Sequence, residues 1–300
     1  MKILFCTDGS EASFYAIRRA LPFLIADSQI DIVNIVDLDI WTTYVTFSYE
    51  EEEVSEIPKS AAQLILNKAE ELIELEGYKV GKTNYFRGSP SNIILRLINS
   101  DNYDLVVLGS HGKKGLKKWI GSVSRKVVTK SSIPVLIVKP QEEAEIPRGL
   151  KEVLITVDGS DCSYNAIKKM PEFLNLQNSS IEVLNIRIGS ESLPVEITMD
   201  SKWLENLLIK QKESANKILD ESKKILQENN ISIKSAFSLE GDAAEIILNY
   251  ISEHKKDLII MGSHGREGIS DLILGSVSKR VLDFAICPVL IIPTKIKKID

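Results

Sequence analysis

Apolar residues in this chain gather into short runs, and the stretches between the runs place them every three or four positions. The first half has runs at Ile3-Leu4-Phe5-Cys6-Thr7, Ile30 to Val36, Leu105 to Leu108 and Pro134-Val135-Leu136-Ile137-Val138, with Tyr78 to Phe86 as a further strand. Runs this short and this continuous predict strands buried on both faces. Between the first two strands, Ala12, Tyr15, Ala16, the stem of Arg19, Ala20 and Phe23 fall near helical spacing. Asp37 to Glu56 is acidic, with Glu50-Glu51-Glu52-Glu53 inside it, and reads as an exposed loop. Pro58 then suits the first turn of a long helix reaching about Glu76 and closed by Gly77. Gly88-Ser89-Pro90 opens another helix through Asn99. Strands alternating with helices predict a parallel sheet covered on both faces.

The same order restarts at Lys151. Val153 to Val157 leads to Asp158-Gly159-Ser160 as Ile3 to Thr7 leads to Asp8-Gly9-Ser10. Ile181 to Ile188 is the next strand, Lys202 to Asn229 the long helix, and Gly241-Asp242-Ala243 stands where Gly88-Ser89-Pro90 stood. Pro288-Val289-Leu290-Ile291-Ile292 closes the second half. The offset between equivalent residues is 150 from Asp8 to Asp158, 153 from Gly109 to Gly262, and 154 from Gly121 to Gly275. A register kept this closely indicates duplication of one α/β unit. The expected architecture is two tandem open parallel five-stranded sheets flanked by helices. Its domains are 1–139 and 151–294, and the proline- and glutamate-bearing segment 140–150 links them.

The fourth strand of each half runs into a glycine loop, Gly109-Ser110-His111-Gly112 to Gly121-Ser122, and Gly262-Ser263-His264-Gly265 to Gly275-Ser276. Strand, glycine loop and helix start together make a site for phosphate. Glycines let backbone N–H groups approach an anion, and the helix N-terminus supplies unpaired donors and partial positive charge. Neither loop has the Gly-Lys-Ser/Thr of a Walker A loop, and neither is a Gly-x-Gly-x-x-Gly fingerprint. In open α/β sheets ligands bind beyond the carboxyl ends of the strands. Asp8 and Asp158, the Gly88 and Gly241 turns and the glycine loops all fall on that edge. A carboxylate for ribose or base with glycine amides for phosphates suits a nucleotide. The other reading of the aspartates is that they only cap the helices after them.

Composition narrows the field. A net charge of −5 argues against broad nucleic-acid binding. Three cysteines without C-x-x-C spacing exclude a disulfide framework and a thiolate zinc site, and fit a reducing compartment. The opening Lys2-Ile3-Leu4-Phe5 is too short an apolar run for a signal peptide, and no stretch has membrane-spanning length, so a cytoplasmic protein is expected.

The pattern Gly-x2-Gly-x9-Gly-Ser/Thr, an Asp-Gly-Ser after strand one and a closing Pro-Val-apolar strand resemble the universal stress protein family over nearly the whole chain, as two tandem domains. The resemblance implies an adenine nucleotide alpha hydrolase-like fold and, in many members, ATP or another adenine nucleotide as ligand. It also implies dimerisation through the last strand, which a tandem chain can satisfy as a pseudo-dimer of its own halves, beside any homodimer. On this resemblance Gly262, Gly265, Gly275 and Ser276 stand at phosphate-loop positions, and Val277 adds an amide at the helix start. Asp158 holds the nucleoside end, while Val157, Ile186 and Met261 flank the adenine. Asp8, Gly109, Gly112, Gly121 and Ser122 match in the first half, where eight residues separate Gly112 from Gly121 against nine between Gly265 and Gly275. A missing residue turns the next helix by about 100° if it is absorbed helically.

Arg266 is a candidate to counter phosphate charge, whereas Lys113, Lys114, Lys117 and Lys118 read as solvated. His111 and His264 read as polar loop lining, without a second metal ligand nearby. Ser122, Ser124, Ser276 and Ser278 suit phosphorylation or helix capping. Cys6 and Cys287 read as core, and Cys162 starts a helix without a nucleophile's partner. No catalytic base and no metal cage is evident, so Mg²⁺ would arrive with a triphosphate. The expected function is a stress-response switch governed by nucleotide occupancy. The rivals are a slow ATPase or self-phosphorylating protein using Asp158, His264 and Arg266, and a scaffold or chaperone-like protein that needs no nucleotide.

Overall fold

The computed structural model describes residues 1–37, 51–111, 120–140, 149–189, 193, 195, 201–265 and 274–294, residues 51–58 and 201 by their backbone alone. The chain divides into two compact units, the first built on Met1–Gly149 and the second on Leu150–Pro171 and Leu176–Thr294. In the first, β1 (Lys2–Thr7), β2 (Gln29–Val36), β3 (Lys79–Arg87), β4 (Leu105–Gly109) and β5 (Val135–Val138) alternate with α1 (Glu11–Ala20), α2 (Glu51–Leu75), α3 (Pro90–Ser100) and α4 (Ser122–Lys130). The sheet order is β3-β2-β1-β4-β5, and every pairing is parallel. The second unit repeats this with β6 (Glu152–Thr156), α5 (Asp161–Lys169), β7 (Ser180–Arg187), α6 (Ser201–Glu228), β8 (Ser235–Glu240), α7 (Ala243–Glu253), β9 (Leu258–Gly262), α8 (Ser276–Phe284) and β10 (Val289–Ile292). Its order is β8-β7-β6-β9-β10, again parallel throughout.

The expected α/β architecture is therefore present in both halves. Ile3, Leu4, Ile30, Ile32, Leu105 and Val106 are essentially inaccessible, as are Val153, Leu154, Val183, Ile259 and Ile260. Burial of such side chains contributes about 1.5–3 kcal/mol each, which is what sets β-branched runs as central strands. In each unit the chain leaves the first strand toward one side of the sheet and the fourth toward the other. The strand order thus reverses between β1 and β4, and between β6 and β9, the place where open parallel sheets take ligands at their carboxyl ends.

One boundary needs correction. Residues 51–56 are the start of α2 and not part of an acidic loop, so Pro58 lies inside the helix rather than in its first turn. Glutamate is a good helix former, and the positive end of the helix dipole favours acidic residues in the first turn. Residues 38–50, the remainder of that segment, lie outside the described residues. The far end of α2 closes as expected, with Gly77 at φ +82 and hydrogen bonds from Gly77 N to Glu74 O at 2.9 Å and from Tyr78 N to Ile73 O at 3.2 Å. In α6 the same cap is made by Asn230 at φ +57, with Ile231 N donating to Leu226 O at 2.9 Å.

Candidate functional site

The second unit's edge is built from the end of β6 outward. Asp158 Oδ1 accepts from the backbone N–H of Ser160 at 3.0 Å and from its hydroxyl at 2.6 Å. Gly159, at φ +83, makes that tight turn possible. The cap of α5 is Ser160, whose Oγ accepts from Ser163 N at 3.2 Å. The helix cap thus belongs to the serine, and one carboxylate oxygen of Asp158 is engaged in the turn while the other faces the glycine loop. A Cβ built on Gly265 would lie 2.6 Å from Asp158 Oδ2. Strand-one aspartate and glycine loop therefore meet, and a methyl at residue 265 would have to displace the carboxylate oxygen.

Gly262 has a different reason to be glycine. A Cβ there would lie 2.7 Å from Cys162 Sγ and 3.0 Å from the Cys162 carbonyl carbon, so α5 packs directly on the loop's first residue. The buried Cys162 thiol donates to Ile292 O at 3.4 Å and lies 3.6 Å from Ser263 Oγ. Ser263 Oγ lies 2.8 Å from His264 Nδ1, which agrees with the expected polar loop lining. At the other end of the loop, Gly275 N donates to Ser263 O at 2.8 Å, and Ser278 Oγ donates to Gly262 O at 2.9 Å. Gly275 is the N-cap of α8 without a side-chain hydrogen bond, so Ser276 and Ser278 are not the caps they resembled. Ser276 is exposed on the first turn and Val277 half-buried, where helix amides lack intrahelical acceptors. Val157 and Met261 are buried and Ile186 is half-buried.

The first unit carries the same scaffold. Asp8 Oδ1 accepts from Ser10 N at 3.0 Å and Ser10 Oγ at 2.6 Å, with Gly9 at φ +75. Gly121 N donates to Ser110 O, Ser124 Oγ donates to Gly109 O at 2.7 Å, and Ser110 Oγ lies 2.9 Å from His111 Nδ1. These bonds match those around Gly275, Ser278 and His264 one for one, so α4 starts as α8 does. The missing residue is therefore not absorbed by turning α4, whose start is tied to Gly109 and Ser110 as that of α8 is to Gly262 and Ser263. Gly112, Lys113 to Lys118 and Arg266 lie outside the described residues. Cys287 is buried as expected, whereas Cys6 is half-buried, with desolvation pushing its thiol up.

Sequence reasoning missed Asn34 and Asn185. Each donates its side-chain amide to the carbonyl just before the aspartate, to Thr7 O and Val157 O respectively, at 2.8 Å. The available signal was a polar residue at the same place in two otherwise apolar strands, Val33-Asn34-Ile35 and Leu184-Asn185-Ile186. Among the described residues there is no His, Cys, Asp and Glu cluster able to hold a metal, and no helix long and apolar enough to cross a membrane.

The family model of the universal stress protein family matches residues 1–139 and again 149–293. A universal stress protein of Methanocaldococcus jannaschii is 34% identical over 47% of this chain and 81% of its own length. The Bacillus subtilis universal stress protein YxiE is 28% identical over 47% of this chain and 97% of its own. Among solved structures, a universal stress protein from Archaeoglobus fulgidus shares the fold with a TM-score of 0.66 at 20% identity, covering 97% of this chain and 96% of that one. Two matched segments spanning most of the chain, on two copies of one parallel sheet, place the protein in the universal stress protein family as a tandem two-domain member.

Proposed function

We propose that the second unit binds an adenine nucleotide, and that occupancy acts as a stress-response switch on what the protein associates with. The observation that carries this reading is the contact of Gly265 with Asp158: a Cβ on Gly265 would sit 2.6 Å from the carboxylate. A cradle that a single methyl would fill joins a carboxylate suited to ribose hydroxyls with a loop suited to phosphates. Asp158 would take the ribose, Val157, Ile186 and Met261 would flank the base, and Gly262, Gly265, Arg266, Gly275, Ser276 and Val277 would meet the phosphates. Mg²⁺ would enter with the triphosphate. The tandem family match supports a pseudo-dimer of the two halves, and the compartment we propose for it is the cytoplasm.

A second reading, that the first unit also binds, is favoured by its matched anchors: Ser124 Oγ on Gly109 O and Gly121 N on Ser110 O repeat the second unit's bonds. Its residues would be Asp8, Gly109, Gly112, Gly121 and Ser122.

Calorimetric titration of the purified chain with ATP, ADP and AMP tests both. Gly265→Ala is expected to weaken the second site at least tenfold, about the scale of one strained or lost polar contact. Gly112→Ala reports the first site in the same way. A wild-type chain that binds none of the three at millimolar concentration would leave the scaffold reading standing, and steady phosphate release lost in Asp158→Ala would favour the ATPase.

A further inference from the structure

Behind the second unit's site runs a chain of hydrogen bonds along the carboxyl ends of β7 and β8. Asn185, 3% exposed, donates Nδ2 to Val157 O at 2.8 Å. Ser238 Oγ lies 3.3 Å from Asn185 Oδ1 and donates to it, while accepting from Arg187 Nε at 3.1 Å. Arg187 in turn pairs with Glu240 at 3.3 Å. The sheet register places Asn185 opposite Ser238 and Arg187 opposite Glu240, so all four lie on adjoining strand positions. The ends of the chain give the bonds their direction, with Leu239 O a second acceptor 3.5 Å from Ser238 Oγ. A carbonyl oxygen only accepts and a guanidinium only donates, so the amide must turn its nitrogen to Val157 and its oxygen to the serine.

The bond to Val157 bears directly on Asp158. The Val157 carbonyl and the Asp158 N–H belong to one planar peptide unit, so holding the first orients the second. Val157 N also donates to Leu184 O at 2.9 Å, which fixes the residue from its other side. Asn185 thus holds the peptide from which the Asp158 side chain leaves the sheet, while Ser160 holds the carboxylate itself.

The first unit keeps the asparagine and loses the rest. Opposite Asn34 stands Tyr85 and opposite Val36 stands Arg87, in place of Ser238, Arg187 and Glu240. The Tyr85 hydroxyl accepts from Arg87 Nε instead, and Asn34 Oδ1 is buried without a hydrogen-bond partner among the described residues. A buried acceptor without a donor is a cost that leaves the side chain less firmly held.

We propose that Asn185, Ser238, Arg187 and Glu240 form a positioning network for the nucleoside end of the second site, and that its absence makes the first unit the poorer reader of a nucleoside. The inference rests on the nucleotide reading above and deepens it. None of the four needs to touch the ligand; they act through the Val157–Asp158 peptide. A network of this kind affects the nucleoside end of a ligand and leaves the phosphate loop alone.

The test is titration of the full chain with adenosine, tripolyphosphate and ATP, scoring the binding that Gly265→Ala weakens. Asn185→Ala and Ser238→Ala are expected to weaken adenosine and ATP about tenfold, the scale of one buried hydrogen bond, and to leave tripolyphosphate unchanged. Ser238→Thr, which keeps the hydroxyl, is expected to retain wild-type affinity for all three. Ser238→Ala guards against a misfolded Asn185 variant, and thermal melts of each accompany the titrations. Unaltered adenosine binding in a folded Asn185→Ala or Ser238→Ala chain would overturn the network. So would equal weakening of adenosine and tripolyphosphate, which would mark a purely structural role. A wild-type chain that takes up neither adenosine nor ATP would overturn the nucleotide reading itself, an outcome distinct from both.

Discussion

The two units agree at the loops that follow their first and fourth strands and differ at the amino ends of the sheet, as they do along the second and third strands. At the carboxyl ends, the bonds of Asp8, Gly109, Ser124 and Gly121 repeat those of Asp158, Gly262, Ser278 and Gly275. At the amino ends the chemistry has been exchanged. In the first unit Asp31, 1% exposed, accepts from the Tyr103 hydroxyl at 2.9 Å and Lys82 N at 2.8 Å, and pairs with Lys2 at 3.3 Å. In the second, Glu182 stands at Asp31's place, Lys256 at Tyr103's and Glu152 at Lys2's. Glu182 pairs with Lys256 and with Lys234 at 3.3 Å and accepts from Tyr250 at 2.9 Å, while Lys256 reaches Glu152 at 2.9 Å. The carboxyl edge depends on backbone geometry, which a substitution disturbs. The amino edge requires only that each buried carboxylate have donors, and several side-chain sets provide that.

The largest test of this contrast is removal of one charged partner on each side. Lys256→Met leaves Glu182 buried beside Glu152 without its main cation and is expected to lower the second unit's stability by about 3–5 kcal/mol. Tyr103→Phe removes one of three donors to Asp31 and is expected to cost the first unit only about 1–2 kcal/mol. Calorimetric melting of each variant measures both. Equal losses would mean that the two amino edges are not different in kind.

Acid titration sharpens the same point. Burial works against ionised Glu182, but hydrogen bonds from Lys256 and Tyr250, with the Lys256 charge, outweigh it and hold the carboxyl at about 2 against an ordinary 4.5. A pKa depressed on folding gives stability that is full above the ordinary value and is lost as pH falls toward the depressed one. The second unit is therefore expected to lose stability between about pH 4.5 and 2, and Lys256→Met to flatten that slope. Denaturant melts across this range would show it. An unchanged slope in the variant would remove Lys256 as the cause.

The smallest effect compares equivalent glycines. Gly262→Ala would place a methyl 2.7 Å from Cys162 Sγ and 3.0 Å from its carbonyl carbon, whereas Gly109→Ala meets Ala12 O at 3.3 Å. Overpacking predicts a cost of about 1–3 kcal/mol at Gly262 and less at Gly109. Chemical denaturation of the two variants decides it, and equal costs would refute the contrast.

The strands were legible because burial on both faces writes itself as unbroken apolar runs, and the glycine loops because duplication printed them twice. The start of α2 was not legible, since Pro58 resembles a first-turn proline and Glu50 to Glu53 resemble a solvated loop. Nor were the serine roles: Ser124 and Ser278 occupy a helix's first turn, as a cap would, yet their hydroxyls bond Gly109 O and Gly262 O. Asn185 was hidden because one polar residue in an apolar strand gives no sign of its target. Whether the missing loop residue would be absorbed by turning α4 was not legible either, since that depends on the bonds that tie the helix start to Gly109 and Ser110.

The sequence by itself determined the parallel α/β unit, its repetition and the family. These depend on periodicity and on residue types at fixed spacing, which are local properties of a chain. Only the tertiary structure decided that a side chain at residue 265 would meet Asp158, and one at residue 262 would meet Cys162. It also decided that Asn185 has a donor behind it while Asn34 has none among the described residues. Each of these is a contact between residues far apart in the chain. Spacing along a sequence carries no record of such distances until the sheet brings the strands together.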